Sequence, residues 1–218
     1  MNFDFEAVLF DMDGTIADTT VYHNQAWIEF AQTHLGETLA DDDRRFVPGR
    51  TRDIIRSILG REVSPQKADF LHDDKELRFQ SFARGRLQPL PGLRDYIKVL
   101  KEKGVRTGLV TNAPRMNVVF TLRELDLAEC FEFALCAEDV VCGKPDPAPF
   151  REACRQLGVK PTNALVHEDS EMGITSALLA GCPVAAIMTG MSRETATRLG
   201  TKWAFESYTE WMEFWELK

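Results

Sequence analysis

The stretch Ala7-Val8-Leu9-Phe10-Asp11-Met12-Asp13-Gly14-Thr15 decides how the rest of the chain is read. Four apolar residues in a row predict a short strand buried on both faces, as in a parallel sheet. The run stops at two acids spaced two apart and then a glycine, which permits a tight turn that brings both acids and the backbone toward one point. Similar runs recur at Thr107-Gly108-Leu109-Val110, Phe133-Ala134-Leu135, Ala164-Leu165-Val166 and Pro183-Val184-Ala185-Ala186-Ile187. Between them Leu93, Tyr96, Ile97 and Leu100, and then Phe150, Ala153, Cys154 and Leu157, keep helical spacing, with Gly104 and Gly158 where helix stops belong. The alternation predicts an α/β fold: a Rossmann-like parallel-sheet core with right-handed crossovers.

One interval breaks the rhythm. Roughly ninety residues separate the first strand from Thr107, whereas a crossover needs only a dozen or so plus its helix. From Thr19 to Arg86 the pattern is helical: Ala26, Trp27, Phe30, Ala31 and Leu35 share a face, and Phe70, Leu71, Leu77, Phe79 and Phe82 add apolar positions. The expectation is a small inserted helical cap domain over residues 19–86, with residues 1–18 and 87–218 forming the core. Trp211, Met212, Phe214 and Trp215 read as packing residues of a last helix.

With 218 residues the chain can bury a substantial core without disulfides. Its five cysteines, Cys130, Cys136, Cys142, Cys154 and Cys182, form no C-x-x-C pair and read as reduced thiols of a cytoplasmic protein. The residues Met1 to Glu6 lack a secretory pattern, and no run of about eighteen apolar residues suggests a membrane span. A net charge of -8 argues against a general partner in nucleic acid or a membrane surface, and an anionic substrate would need a metal or a few placed cations. The expected state is a monomer or a weak homo-oligomer.

Four polar segments follow or lie near strands: Asp11 to Thr15, Thr111-Asn112, Lys144, and Glu168-Asp169. In a parallel sheet, strand ends of this kind share the edge where open α/β sheets place ligands. Asp11, the Asp13 carbonyl and Asp169 offer the oxygen donors a magnesium ion takes, with Glu168 a further ligand or supporting acid. Lys144 adds a fixed positive charge. Once phosphate oxygens are neutralised, Asp11 can attack phosphorus, Asp13 can protonate the leaving oxygen, and Thr111 can bond a phosphate oxygen. Pro114 suits the first turn of a following helix, whose free N–H groups would face the same point. A calcium loop is excluded by Ile16 and Tyr22 where glycine and glutamate are required, and Gly143-Lys144-Pro145 is no P-loop.

Taken together, these residues resemble the haloacid dehalogenase-like superfamily, in its branch of β-phosphoglucomutases and small sugar-phosphate phosphatases with a helical cap. DMDGT matches the signature D-x-D-G-T/V, Thr111 the second motif, Lys144 the third, and Glu168-Asp169 with Gly173-Ile174 the fourth. The resemblance implies Asp11 as nucleophile, Asp13 as acid/base, Lys144 as the charge-balancing lysine, and Asp169, with Glu168, as metal ligands for magnesium. It also implies a cap whose start, Asp18 to Trp27, carries His23 as a hinge or substrate-facing histidine, and a loop, Gly49-Arg50-Thr51-Arg52, whose glycine and Arg52 face the substrate. Pro48, where the mutases carry lysine, and Asn112, replacing a small residue, look more phosphatase-like. Lys75 is the candidate for the lysine that mutases use later in the cap.

The expected activity is therefore a magnesium-dependent phosphatase for a small phosphorylated metabolite such as a sugar phosphate, working through an aspartyl-phosphate. The alternatives are β-phosphoglucomutase or a related phosphomutase, and a non-catalytic binding protein.

Overall fold

The computed structural model describes residues 3–40, 43, 45 and 49–217. Six strands form one parallel sheet: β1 (Ala7–Phe10), β2 (Arg106–Val110), β3 (Ala134–Leu135), β4 (Ala164–Glu168), β5 (Val184–Ile187) and β6 (Trp203–Phe205). Their order is β3-β2-β1-β4-β5-β6, so the chain runs outward from β1 on one side, then returns to build the other. β1 is thus flanked by β2 and β4, with Phe10 level with Leu109 and His167. A switch point of this kind leaves a crevice at the carboxyl ends of the central strands.

The apolar run of β1 is uninterrupted because helices cover both faces. Val8 and Phe10 pack with α4 (Leu93–Glu102), α5 (Arg115–Glu124) and α9 (Tyr208–Phe214), while Ala7 and Leu9 pack with α6 (Ala148–Leu157) and α7 (Glu171–Ala180). Helix α8 (Arg193–Leu199) follows β5. His167, buried in β4, is ringed by Phe10, Tyr96, Phe205, Tyr208 and Trp211, and burial pushes its pKa down to about 3. It is a neutral core histidine whose Nε2 meets the Tyr96 hydroxyl at 3.1 Å.

Among the described residues between β1 and α4 lie three inserted helices, α1 (Thr20–Leu35), α2 (Thr51–Leu59) and α3 (Pro65–Ala83). Trp27, Phe30, Ile54, Ile55, Ile58 and Leu71 form their own apolar cluster. Ala26, Phe79 and Ala83 instead join the main core, where the Phe79 ring meets Phe120 of α5 edge-on. Two residues expected to be apolar contacts are not: Phe70 and Leu77 lie on the outer side of α3 and are mostly exposed. The sixth strand, Trp203–Phe205, was not anticipated, because three residues at a sheet edge carry too little pattern. Among the described residues no helix is long and apolar enough to cross a membrane.

Candidate active site

A cavity of about 260 Å³ opens where the strand ends meet the inserted helices, and Asp11, Asp13, Thr111, Lys144, Glu168 and Asp169 all line it. Asp11 leaves β1 with its N–H on the His167 carbonyl at 3.0 Å, which places its carboxylate between β2 and β4. Lys144 reaches the same point from the loop beyond β3. Its ammonium donates to Asp11 Oδ1 at 2.5 Å, to Glu168 Oε1 at 2.7 Å and to the Val110 carbonyl at 2.7 Å. Those three acceptors use all three of its protons.

Glu168 is fully buried and committed. Besides Lys144 on Oε1, its Oε2 accepts from the Asp169 N–H, the Ser170 N–H and the Ser170 hydroxyl, each at 2.9 Å. Gly173 makes this conformation available, because a Cβ there would fall 1.6 Å from Glu168 Oε1. Asp169 is held in the same manner, by close backbone on either side. A Cβ at Gly14 or Gly190 would come within 2.1 Å or 2.4 Å of Asp169 Oδ2, and at Gly14 the positive φ of 79° favours glycine independently.

Carboxylate oxygens of Asp11, Glu168 and Asp169 lie within 4.8 Å of one another. Three acids against one ammonium leave the pocket short of positive charge. Burial raises the Asp11 pKa to about 8, with Glu168 and Asp13 adding to it and Lys144 only partly offsetting it. Asp169 is likewise pushed well above the carboxylate range by burial, Glu168 and Asp11. Burial works against the charged form of Lys144, but Asp11 and Glu168 outweigh it and raise its pKa. An all-oxygen donor set with unneutralised negative charge fits a hard divalent cation.

Asp13 belongs to a second group that faces the inserted helices. Its Oδ1 accepts from the Thr19 hydroxyl at 2.7 Å and meets His23 Nε2 at 3.4 Å. The His23 ring stacks on Phe79, 3.9 Å between centroids and 4° from parallel, and its Nδ1 lies 2.8 Å from the Lys75 ammonium. Lys75 donates onward to Glu76 Oε2 at 2.9 Å and sits 4.8 Å from the Trp27 ring centroid. Burial pushes the Asp13 pKa upward, but His23, Thr19 and Lys75 together hold it below its ordinary value. Glu76 is also lowered: Lys75, His23 and Thr51 outweigh its burial.

The remaining expected residues divide. Thr111 and Gly49 line the cavity. Thr111 Oγ1 accepts the Ala113 N–H at 3.0 Å, which leaves its own hydrogen for a ligand. Asn112 also lines the cavity, but its amide is taken up by the lysine loop: Nδ2 donates to the Lys144 carbonyl at 3.1 Å and Oδ1 accepts the Lys144 N–H at 2.9 Å. Arg52 is not brought to the site. It is exposed and paired with Asp69, since a single turn of α2 points residues 51 and 52 in different directions and Thr51 takes the inner one. Arg50 turns away as well, donating to the Val140 and Val141 carbonyls. The helix after Pro114 does not offer its first N–H to the cavity, because Glu138 accepts it from Arg115 at 3.1 and 3.0 Å. Pro48 lies outside the described residues.

The family model described as haloacid dehalogenase-like hydrolase matches residues 5–181. The chain belongs to this hydrolase family. Among its relatives, a phosphorylated carbohydrates phosphatase of Thermotoga maritima is 29% identical over 81% of this chain and 82% of its own. A β-phosphoglucomutase of Bacillus subtilis is 30% identical over 81% and 80%. A family IA, variant 3 haloacid dehalogenase hydrolase from Entamoeba histolytica has a solved structure that superposes with a TM-score of 0.87, at 28% identity, over 97% of this chain and 98% of that one. The chain is accordingly an enzyme of the phosphoric monoester hydrolase kind.

Family motifs pointed to every strand-end residue of the site, but they did not point to Glu76 or Asn117. Both line the cavity and are fully buried. The one available signal was that Lys75-Glu76 is a charged pair within a helix whose neighbours at Leu71 and Phe79 are core residues.

Proposed function

We propose that the enzyme is a magnesium-dependent phosphatase acting on a small phosphorylated metabolite, a sugar phosphate, through an aspartyl-phosphate on Asp11. The observation that carries this reading is the convergence of Asp11, Lys144 and Asp169 on one buried point, with Asp13 beside it. Magnesium, held by Asp11, the Asp13 carbonyl and Asp169, would neutralise the phosphate oxygens. Glu168, which accepts from four donors, holds Lys144 and the Asp169 turn in place beside that ion.

The Asp11 carboxylate attacks phosphorus as the bond to the leaving oxygen breaks, and Asp13 protonates that oxygen. An incoming phosphate pushes the Asp13 pKa back up, because like charge favours the neutral acid. Asp13 then takes a proton from the water that attacks the acyl phosphate, releasing inorganic phosphate and restoring Asp11. Lys144 and the Thr111 hydroxyl steady the transferring group. The helices of residues 19–86 act as a cap over this chemistry and close off bulk water. The five cysteines, all free, suit a reducing compartment, and we place the enzyme in the cytoplasm.

Water is preferred over a second phosphate ester as acceptor because both arginines of the 49–52 loop face away from the cavity. The phosphomutase reading is supported by Lys75, which does reach the cavity, though in an ion pair with Glu76. Incubation with magnesium, β-glucose 1-phosphate and a bisphosphate primer tests the choice. Free phosphate is expected, abolished by chelation, and Asp11→Asn should lower its release by about 10⁴-fold or more with an unchanged circular dichroism spectrum. Prompt glucose 6-phosphate with little free phosphate would establish the mutase instead, and full activity in Asp11→Asn would remove the aspartyl-phosphate.

A further inference from the structure

Among the described residues, the lysines that line the cavity are Lys144 and Lys75, and no arginine does. Lys144 stands at the strand ends, where one phosphoryl group is handled, and its three protons are already taken. Lys75 belongs to the opposite wall, made by the inserted helices, which the rest of the substrate would meet. Whether that wall attracts or repels a second anionic group depends on what stands beside Lys75.

The group beside it is a carboxylate. Lys75 is buried and donates to Oε2 of the fully buried Glu76 at 2.9 Å. Its other neighbours are His23 Nδ1 at 2.8 Å and the Trp27 ring, 4.8 Å to the centroid. Glu76 is fixed from two further helices: Asn117 Nδ2 of α5 donates to Oε2 at 2.7 Å, and the Thr51 hydroxyl of α2 donates to Oε1. The charge of Lys75 is thus balanced inside the protein. Arg50 and Arg52 add nothing to the wall, since both turn elsewhere. The other residues of this wall, among them Trp27, Ile54 and Gly49, are uncharged. A second carboxylate or phosphate on the substrate would leave water without gaining an unbalanced cation, and it would meet Glu76 as a like charge. A hydroxylated chain meets neither penalty.

We propose that Glu76 is a specificity-determining residue: by balancing Lys75 at the far wall, it selects monophosphates whose leaving group is an uncharged polyol or sugar, and discriminates against those that carry a second anionic group. The proposal rests on the phosphatase reading for which end of the cavity holds the phosphate. Selection of this kind works by repulsion of the wrong substrate and not by an added contact to the right one.

Two size-matched pairs test it, sorbitol 6-phosphate against 6-phosphogluconate and glycerol 3-phosphate against 3-phosphoglycerate. Within each pair a terminal CH₂OH is exchanged for a carboxylate. Dissociation constants are measured by calorimetry with magnesium in an Asp11→Asn background, and kcat/KM by phosphate release with Asp11 intact. In both readouts the polyol should be favoured by about tenfold or more. Glu76→Gln removes the charge and keeps the shape: its amide oxygen can accept from Lys75 and Asn117, and its amide N–H can donate to Thr51 Oγ1 once that hydroxyl rotates. With Lys75 unbalanced, the preference for the polyol should fall by about tenfold or more, whereas Lys75→Met should raise it by about threefold or more. Structural damage would weaken both members of a pair alike. An unchanged ratio in the variants, or a parent ratio near one, therefore overturns the assignment, and either variant suffices where the other fails to fold. Binding needs no turnover, so a parent enzyme that releases no phosphate would remove the phosphatase reading while the dissociation constants still decide the role of Glu76.

Discussion

Two buried lysines line the cavity, and they are held by different kinds of structure. Lys144 is anchored at the sheet edge by Asp11, Glu168 and the Val110 carbonyl, groups fixed by strand ends and by glycines that leave no room for another arrangement. Lys75 is anchored among helices by Glu76 and His23, and its carboxylate partner depends on Asn117 across an inter-helix seam. The difference teaches where rigidity is required. In the proposed reaction the charge balance at the phosphorus is built in before the substrate arrives, whereas the helix-borne lysine depends on how the inserted helices are packed.

The largest effect expected from breaking this contrast is at Lys144. Lys144→Met leaves the fully buried Glu168 without its cation, and should cost about 3 kcal/mol of stability at neutral pH along with nearly all activity. Urea unfolding monitored by fluorescence, with phosphate release measured beside it, checks both. A variant as stable as the parent would mean that the lysine is not balancing Glu168.

A smaller effect concerns pH. The folded Asp11 pKa is raised from 3.8 to about 8, so between those values the metal-free folded state keeps a proton that the unfolded chain has shed. Stability of the metal-free enzyme should therefore be greatest at the acid end and fall as pH rises toward about 8. Magnesium, if held as proposed, would displace that proton, so its apparent affinity should climb over the same window and level off above it. Calorimetric titration in buffers of different ionisation enthalpy measures the released proton. Affinity independent of pH from 5 to about 8 would contradict the raised pKa.

The smallest effect is expected at Arg52. Its pair with Asp69 is exposed, and exposed pairs contribute little, so Arg52→Ala should leave kcat/KM within about twofold. A large rise in KM for one phosphorylated sugar but not for another would show that Arg52 swings inward on closure, and would move the mutase reading forward.

The strand-end half of the site was legible because its spacing is dictated by local rules. A strand that must be buried on both faces ends where its first acid appears, and a tight turn needs glycine, so DMDGT announces both the element and the carboxylates. Asn112 shows the limit of such reading. Its side chain lines the cavity, but its amide clamps the backbone of Lys144, a partner 32 residues away in sequence. Arg52 shows the same limit in reverse, since residues adjacent on a helix point about 100° apart and loop spacing alone does not say which faces inward.

By itself the amino-acid order determined the α/β class, and it pointed to a helical insertion and to Asp11, Asp13, Thr111, Lys144 and Asp169 as candidates, because periodicity and motif spacing are properties of the chain. Tertiary structure alone decided that Glu168 is a clamp, that Arg52 faces solvent, and that Asp13 is reached through His23, Lys75, Glu76 and Asn117. Those contacts join α1, α3 and α5, helices brought together by core packing, with Phe79 of α3 against Phe120 of α5 and Ala26 of α1 in the same cluster, and not by any local signal. Side chains on separate helices meet only after the cores beneath them have set the distance between their axes.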